Sequence, residues 1–75
     1  MRRVRVQVTP ALLIGLGGMF PFPFGTELVS AAVVDNGNLE ITLEHDGLPD
    51  VPSDQEPPLV KPTFQRVNFV GWGLP

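Results

Sequence analysis

The sequence predicts an α+β domain: a small, mostly antiparallel sheet of about four strands, one short helix and a proline-rich arm, assembled as a homo-oligomer. Three observations lead there. Alternating apolar residues mark strands near both ends and in the middle of the chain. Asn36-Gly37 between two such runs marks a hairpin. The apolar run Ala11 to Leu16 behind Thr9-Pro10 marks a helix. Seventy-five residues suffice for one domain, residues 1–75. A chain this short buries only about 60% of the surface it exposes when unfolded, so its core alone is marginal. Disulfides, a structural metal or self-association usually compensate. With no cysteine and one histidine, self-association is what remains, and 43% hydrophobic against 17% charged residues suits it.

Arg3 to Val8 reads as the first strand, with Val4, Val6 and Val8 on one face and Arg3, Arg5 and Gln7 on the other. Thr9 as N-cap and Pro10 at the first helical position then open a helix of about two turns, which Gly17-Gly18 stop. Leu13 belongs to its apolar surface, part of which a neighbouring subunit would cover. Phe20-Pro21-Phe22-Pro23-Phe24 alternates aromatic rings with proline, which enforces an extended, rigid loop. Phe20, Phe22 and Phe24 either plug the core or meet a partner, and with Leu13 they form the expected interface.

The hairpin joins Glu27–Val34 to Leu39–His45 across Asp35-Asn36-Gly37-Asn38. A two-residue turn at Asn36-Gly37 would set Val34 against Leu39, Ala32 against Ile41, Ser30 against Leu43 and Leu28 against His45. The first of these strands is apolar on both faces, which suits a central place in the sheet. Its other neighbour would be the first strand or the carboxy-terminal one. Residues 48–63 carry Pro49, Pro52, Pro57, Pro58 and Pro62, a pattern that opposes regular pairing and predicts an extended arm anchored by Leu48, Val51, Leu59 and Val60. Alternation resumes from Phe64 to Trp72 as a fourth strand, with Val67 and Phe69 on one face and Arg66, Asn68, Val70 and Trp72 on the other.

Charge excludes some functions. A net charge of −3 opposes general nucleic-acid binding. All eight acidic residues fall between Glu27 and Glu56, whereas Arg2, Arg3 and Arg5 cluster at the amino end, where a small anion could find a local basic site. Met1-Arg2-Arg3 before an apolar run has the outline of a secretory signal. Strand alternation through Gln7 and the interruptions at Pro10 and the glycines oppose that reading. The run is also about half the roughly 20 residues of a membrane span. The chain is therefore expected to be cytoplasmic, with no membrane partner.

Catalytic chemistry finds little support. His45 reads as a rim histidine bonded to loop backbone, and no nucleophile elbow surrounds Ser30 or Ser53. Glu40 and Glu44 read as a solvated strand face, and Gly15-Leu16-Gly17-Gly18 lacks the lysine of a phosphate loop. The expectation is a non-enzymatic protein with no cofactor and no metal. Arg66, Asn68 and Trp72 together offer a guanidinium fork, an amide and a stacking plane, which are parts suited to a nucleotide, with Arg3 and Arg5 adding positive charge.

Val6-x-Val-Thr-Pro10, the short Leu-rich segment, Phe24-Gly-Thr-Glu-Leu-Val29, Leu39-Glu-Ile-Thr-Leu-Glu-His-Asp-Gly-Leu-Pro-Asp-Val-Pro52 and the closing Phe69-x-x-Trp-Gly73 follow in an order that resembles short uncharacterised proteins encoded by phages of actinobacteria. The Phe-Pro-Phe insertion stands where Leu-Pro is expected before Gly-Thr. The resemblance implies a phage accessory protein acting inside the host bacterium. Two functions are then open: an immune-evasion sponge that sequesters a cyclic or ADP-ribose-type nucleotide at a subunit interface, or a structural or protein-interaction factor using the Phe-Pro loop and the proline-rich arm.

Overall fold

The computed structural model describes residues 1–9, 21–34, 36–66 and 68–74. Within them the chain forms β1 (Arg3–Val8), β2 (Glu27–Val33), β3 (Leu39–Glu44), β4 (Leu59–Val60), β5 (Thr63–Gln65) and β6 (Asn68–Gly71). Strands β1 to β4 make one sheet in the order β2-β3-β1-β4, and β5-β6 make a separate two-stranded sheet. The α+β expectation is thereby corrected: the described residues hold six strands in two sheets and no helix. The helix expected from Pro10 to Leu16, with Leu13, lies outside the described residues.

β1 lies inside the sheet because both of its faces find partners. Val4, Val6 and Val8 are buried and oppose Leu43, Ile41 and Leu39 of antiparallel β3. On the reverse face Arg3 sits directly opposite Glu44, and its Nε donates to Glu44 Oε2 at 2.8 Å. Arg5 reaches diagonally to Glu40 Oε1 at 3.0 Å. A basic strand beside an acidic strand makes each row of charges the other's counterion.

β2, expected at the centre, is an edge strand among the described residues, with β3 as its one strand neighbour there, and every residue in it is exposed. Its register also differs from the expected one. Val34 N–H donates to Asn38 O and Gly37 N–H to Val34 O, both at 2.9 Å, so three residues rather than two form the loop. Gly37 takes φ 81 at the end of that loop, the arrangement of a turn closed by a left-handed glycine. Val33 therefore opposes Leu39, Ala32 opposes Glu40, Ala31 opposes Ile41 and Ser30 opposes Thr42. A one-residue slip exchanges the faces, placing Ala31 and Val33 on the valine side. A bulge between Leu28 and Ser30 absorbs one residue and returns Leu28 to that side, opposite Leu43.

The proline-rich stretch is not free of pairing, contrary to expectation. Leu59 and Val60 run parallel to β1 beside Arg5 and Val6, and Pro58 O accepts from Arg5 N–H at 2.8 Å. Two consecutive residues with amide hydrogens suffice for this, while prolines on either side end the strand. Leu48 and Val60 are buried in the core. The single strand expected from Phe64 to Trp72 is instead the β5-β6 hairpin, reversing at Arg66, whose φ is 60.

Candidate functional site

The hairpin β5-β6 packs its rings into an aromatic cluster. Phe64 and Phe69 oppose each other across the hairpin, edge to face with ring centres 5.9 Å apart. Phe22 joins both and lies flat on Trp72, with centres 5.7 Å apart and planes 10° from parallel. Trp72 also meets Phe69 edge to face at 4.9 Å. Phe22 and Trp72 pack against the buried valines and leucines of the core. The Phe-Pro loop thus divides its rings: Phe22 enters the molecule, Phe24 is fully exposed, and Phe20 lies outside the described residues.

Local chemistry explains the division. Pro23 to Thr26 is a tight turn in which Thr26 N–H donates to Pro23 O at 3.1 Å, and the Thr26 hydroxyl donates to the same oxygen at 2.7 Å. Gly25 occupies the third position with φ 87, a conformation that side chains with a Cβ rarely adopt. Phe24 is consequently the corner residue. His45, at the end of β3, holds that corner from below. Gly47 N–H donates to His45 Nδ1 at 2.9 Å, which leaves the proton on Nε2, and Nε2–H donates to Phe24 O at 3.1 Å. The histidine therefore bridges two loops by backbone hydrogen bonds, and its ring lies 6.0 Å from Trp72.

The residues suited to a nucleotide are not assembled. Arg66 forms the β5-β6 turn and Asn68 opposes Gln65 on the exposed side of β6. The register shift between Thr63 and Phe64 reverses the alternation near Val70, so Val70 is exposed with Asn68 while Trp72 turns inward to Phe69 and Phe22. One ring face of Trp72 is thus occupied by Phe22. Arg3 is paired with Glu44. Arg5 donates to Pro57 O at 2.7 Å and lies between Glu40 and Glu56, with the Glu56 oxygen 3.7 Å away. These arginines are committed to the sheet and to the proline-rich segment. The signal for that was in the sequence: two basic residues two apart on one strand and acidic residues on one face of another.

Elsewhere, a shallow hollow of about 260 Å³ is lined by Gln7, Asn38, Leu59, Val60 and Lys61. Among the described residues no group of three or more His, Asp or Glu could hold a metal ion, and no helix is long and apolar enough to cross a membrane. Met1 carries its ammonium to Asp50 Oδ1 at 2.6 Å, and this contact holds the Asp50 carboxyl below its ordinary range. No protein-family model, curated protein or solved structure matches the chain. The geometry that stands out is an aromatic side chain presented to solvent on a turn fixed from three sides.

Proposed function

We propose that this chain is a non-catalytic protein-interaction factor that engages a partner protein through Phe24 on the Phe-Pro loop. The observation that carries the reading is that Phe24 is fully exposed on a turn held by Thr26, Gly25 and His45. Presenting an apolar ring to water is unfavourable, and ordering it beforehand lowers the entropy lost on docking. Rigid aromatic anchors of this kind dominate contact energies when a partner supplies a pocket. The proline-rich segment is anchored in the core through Leu48 and Val60. The resemblance to small phage proteins supplies the setting, a phage product meeting a protein of its bacterial host.

The test is affinity capture from host lysate with the wild-type chain and with Phe24→Ser, read by mass spectrometry. A partner retained by wild type and lost by the variant, whose fold and self-association are unchanged, supports the reading. Equal capture by both chains overturns it. A parallel melting assay with cyclic dinucleotides and ADP-ribose derivatives is expected to show no shift. A clear rise with one of them would favour the nucleotide-sequestering function instead.

A further inference from the structure

The two edges of the four-stranded sheet are treated differently. The β4 edge is two residues long and bounded by Pro57, Pro58 and Pro62, a common protection against pairing with other chains. The β2 edge is seven residues long, carries no proline and no lysine, and has its only charge at its first residue, Glu27. Leu28, Val29 and Val33 expose large apolar side chains there. We propose that a second copy of this chain docks on the β2 edge, pairing β2 with β2 antiparallel about a two-fold axis at Ala32. The sheet would thereby continue across the dimer.

The register follows from the hydrogen bonds of one chain. Val34 points its N–H at Asn38. Antiparallel strands alternate between residues that bond to the neighbour and residues that point away, so Ala32 and Ser30 also face β3. Ala31 and Val33 present their N–H and C=O outward. Centring the axis on Ala32 matches Ala31 of one copy to Val33 of the other and satisfies both outward residues on each chain. It also leaves the bulge at Val29 outside the ladder. The central Ala32 residues form a non-hydrogen-bonded pair, the closest type of cross-strand neighbour, which small side chains fit without strain.

Charge selects the direction. A parallel, in-register pairing would set Glu27 beside Glu27, whereas the antiparallel one carries the two carboxylates to opposite ends. Pairing also continues the apolar surface of the sheet. Leu28, Ala31 and Val33 lie on the same side as Leu39 and Ile41, so the two copies bring these rows together. A four-residue ladder alone is small beside the roughly 800 Å² per partner of a stable interface, and these side chains supply the further contact.

The absence of native cysteine makes the test direct. Ala32→Cys is expected to form a disulfide-linked dimer on mild oxidation, because the two Cα atoms would stand about 4.5 Å apart. Ser30→Cys, on the same face but four residues from its counterpart along the ladder, about 13 Å away, should not. In sedimentation the wild-type chain should be a dimer. Ala31→Pro, which removes an outward N–H and leaves the bonds to β3 in place, should be a folded monomer. A monomeric wild type, cross-linking of Ser30→Cys in preference to Ala32→Cys, or a folded Ala31→Pro that still dimerises would each overturn the proposal. Should Ala31→Pro fail to fold, the two cysteine variants decide. Phe24→Ser leaves this dimer intact, so failure here and failure of the Phe24 contact are separately visible.

Discussion

Strand β3 has β1 on one side and β2 on the other, and the two flanks behave oppositely. Leu43 and Leu28 stand across from each other in the ladder, yet Leu43 is 0% exposed and Leu28 57%. β2 is the more apolar flank, with one charge in seven residues against two in six for β1. Composition alone would bury β2. β1 is inside instead because its reverse face carries arginines that meet the glutamates of β3, and because its second edge is closed by β4. The place of a strand in a sheet is decided by what both its faces and both its edges can pair with, and apolar content addresses only the faces.

The strongest way to sharpen this contrast is to truncate the two opposed leucines in turn. Leu43→Ala should cost about 3 kcal/mol, enough to unfold much of a domain this small. Leu28→Ala in dilute protein should fall within about 0.5 kcal/mol of wild type, as exposed positions do. Urea denaturation measures both, and equal losses would mean that the two flanks are packed alike. The charged face comes next. Arg5→Met removes bonds to Glu40 and Pro57 and the proximity of Glu56. It should destabilise by about 1–2 kcal/mol, whereas Arg3→Met, which loses a contact to Glu44 alone among those described, should cost less. If the two substitutions are equivalent, the tie from β1 to the proline-rich segment contributes nothing.

The smallest effect lies at the amino terminus, where the Met1 ammonium bonds the exposed Asp50 carboxylate and lowers its pKa. A depressed folded-state pKa favours the charged form on folding. The contribution is therefore present above the ordinary carboxylate value and lost as pH falls through the depressed one. Melting temperatures of wild type and Asp50→Asn should differ slightly at neutral pH and converge in acid. A gap that widens on acidification would contradict the assignment.

Parts of this arrangement can be read from the chain before it folds, and others depend on the fold. The faces of β1 are plain in Arg-Val-Arg-Val-Gln-Val, and His45 as a rim residue bonded to loop backbone follows from its place at the end of an alternating run. The turn at Asn36-Gly37 is plain too, but its register is not. Gly37 adopts a positive φ in either a two-residue or a three-residue loop, and that ambiguity exchanges the faces from Ser30 to Val33. Strict alternation places Trp72 on the side of Arg66 and Asn68. Only the packing of Phe64, Phe69 and Phe22 reveals the irregularity near Val70 that turns it inward. Leu59 and Val60 carry no strand signal of their own, since two residues between prolines are too short a run for any periodicity to show.

The pairing of Arg5 with Leu59 and of Val6 with Val60 has a consequence in time. The earliest of the six described strands is completed late, since β1 must wait for β3 and then for β4 to leave the ribosome before both its edges are closed. Contacts between residues so far apart in sequence slow folding, and chains that expose unpaired strands meanwhile are prone to aggregate. The β2-β3 hairpin, by contrast, closes on itself as soon as Glu44 emerges. The contacts of that hairpin therefore become available before those that bury the core, although two strands alone are marginally stable.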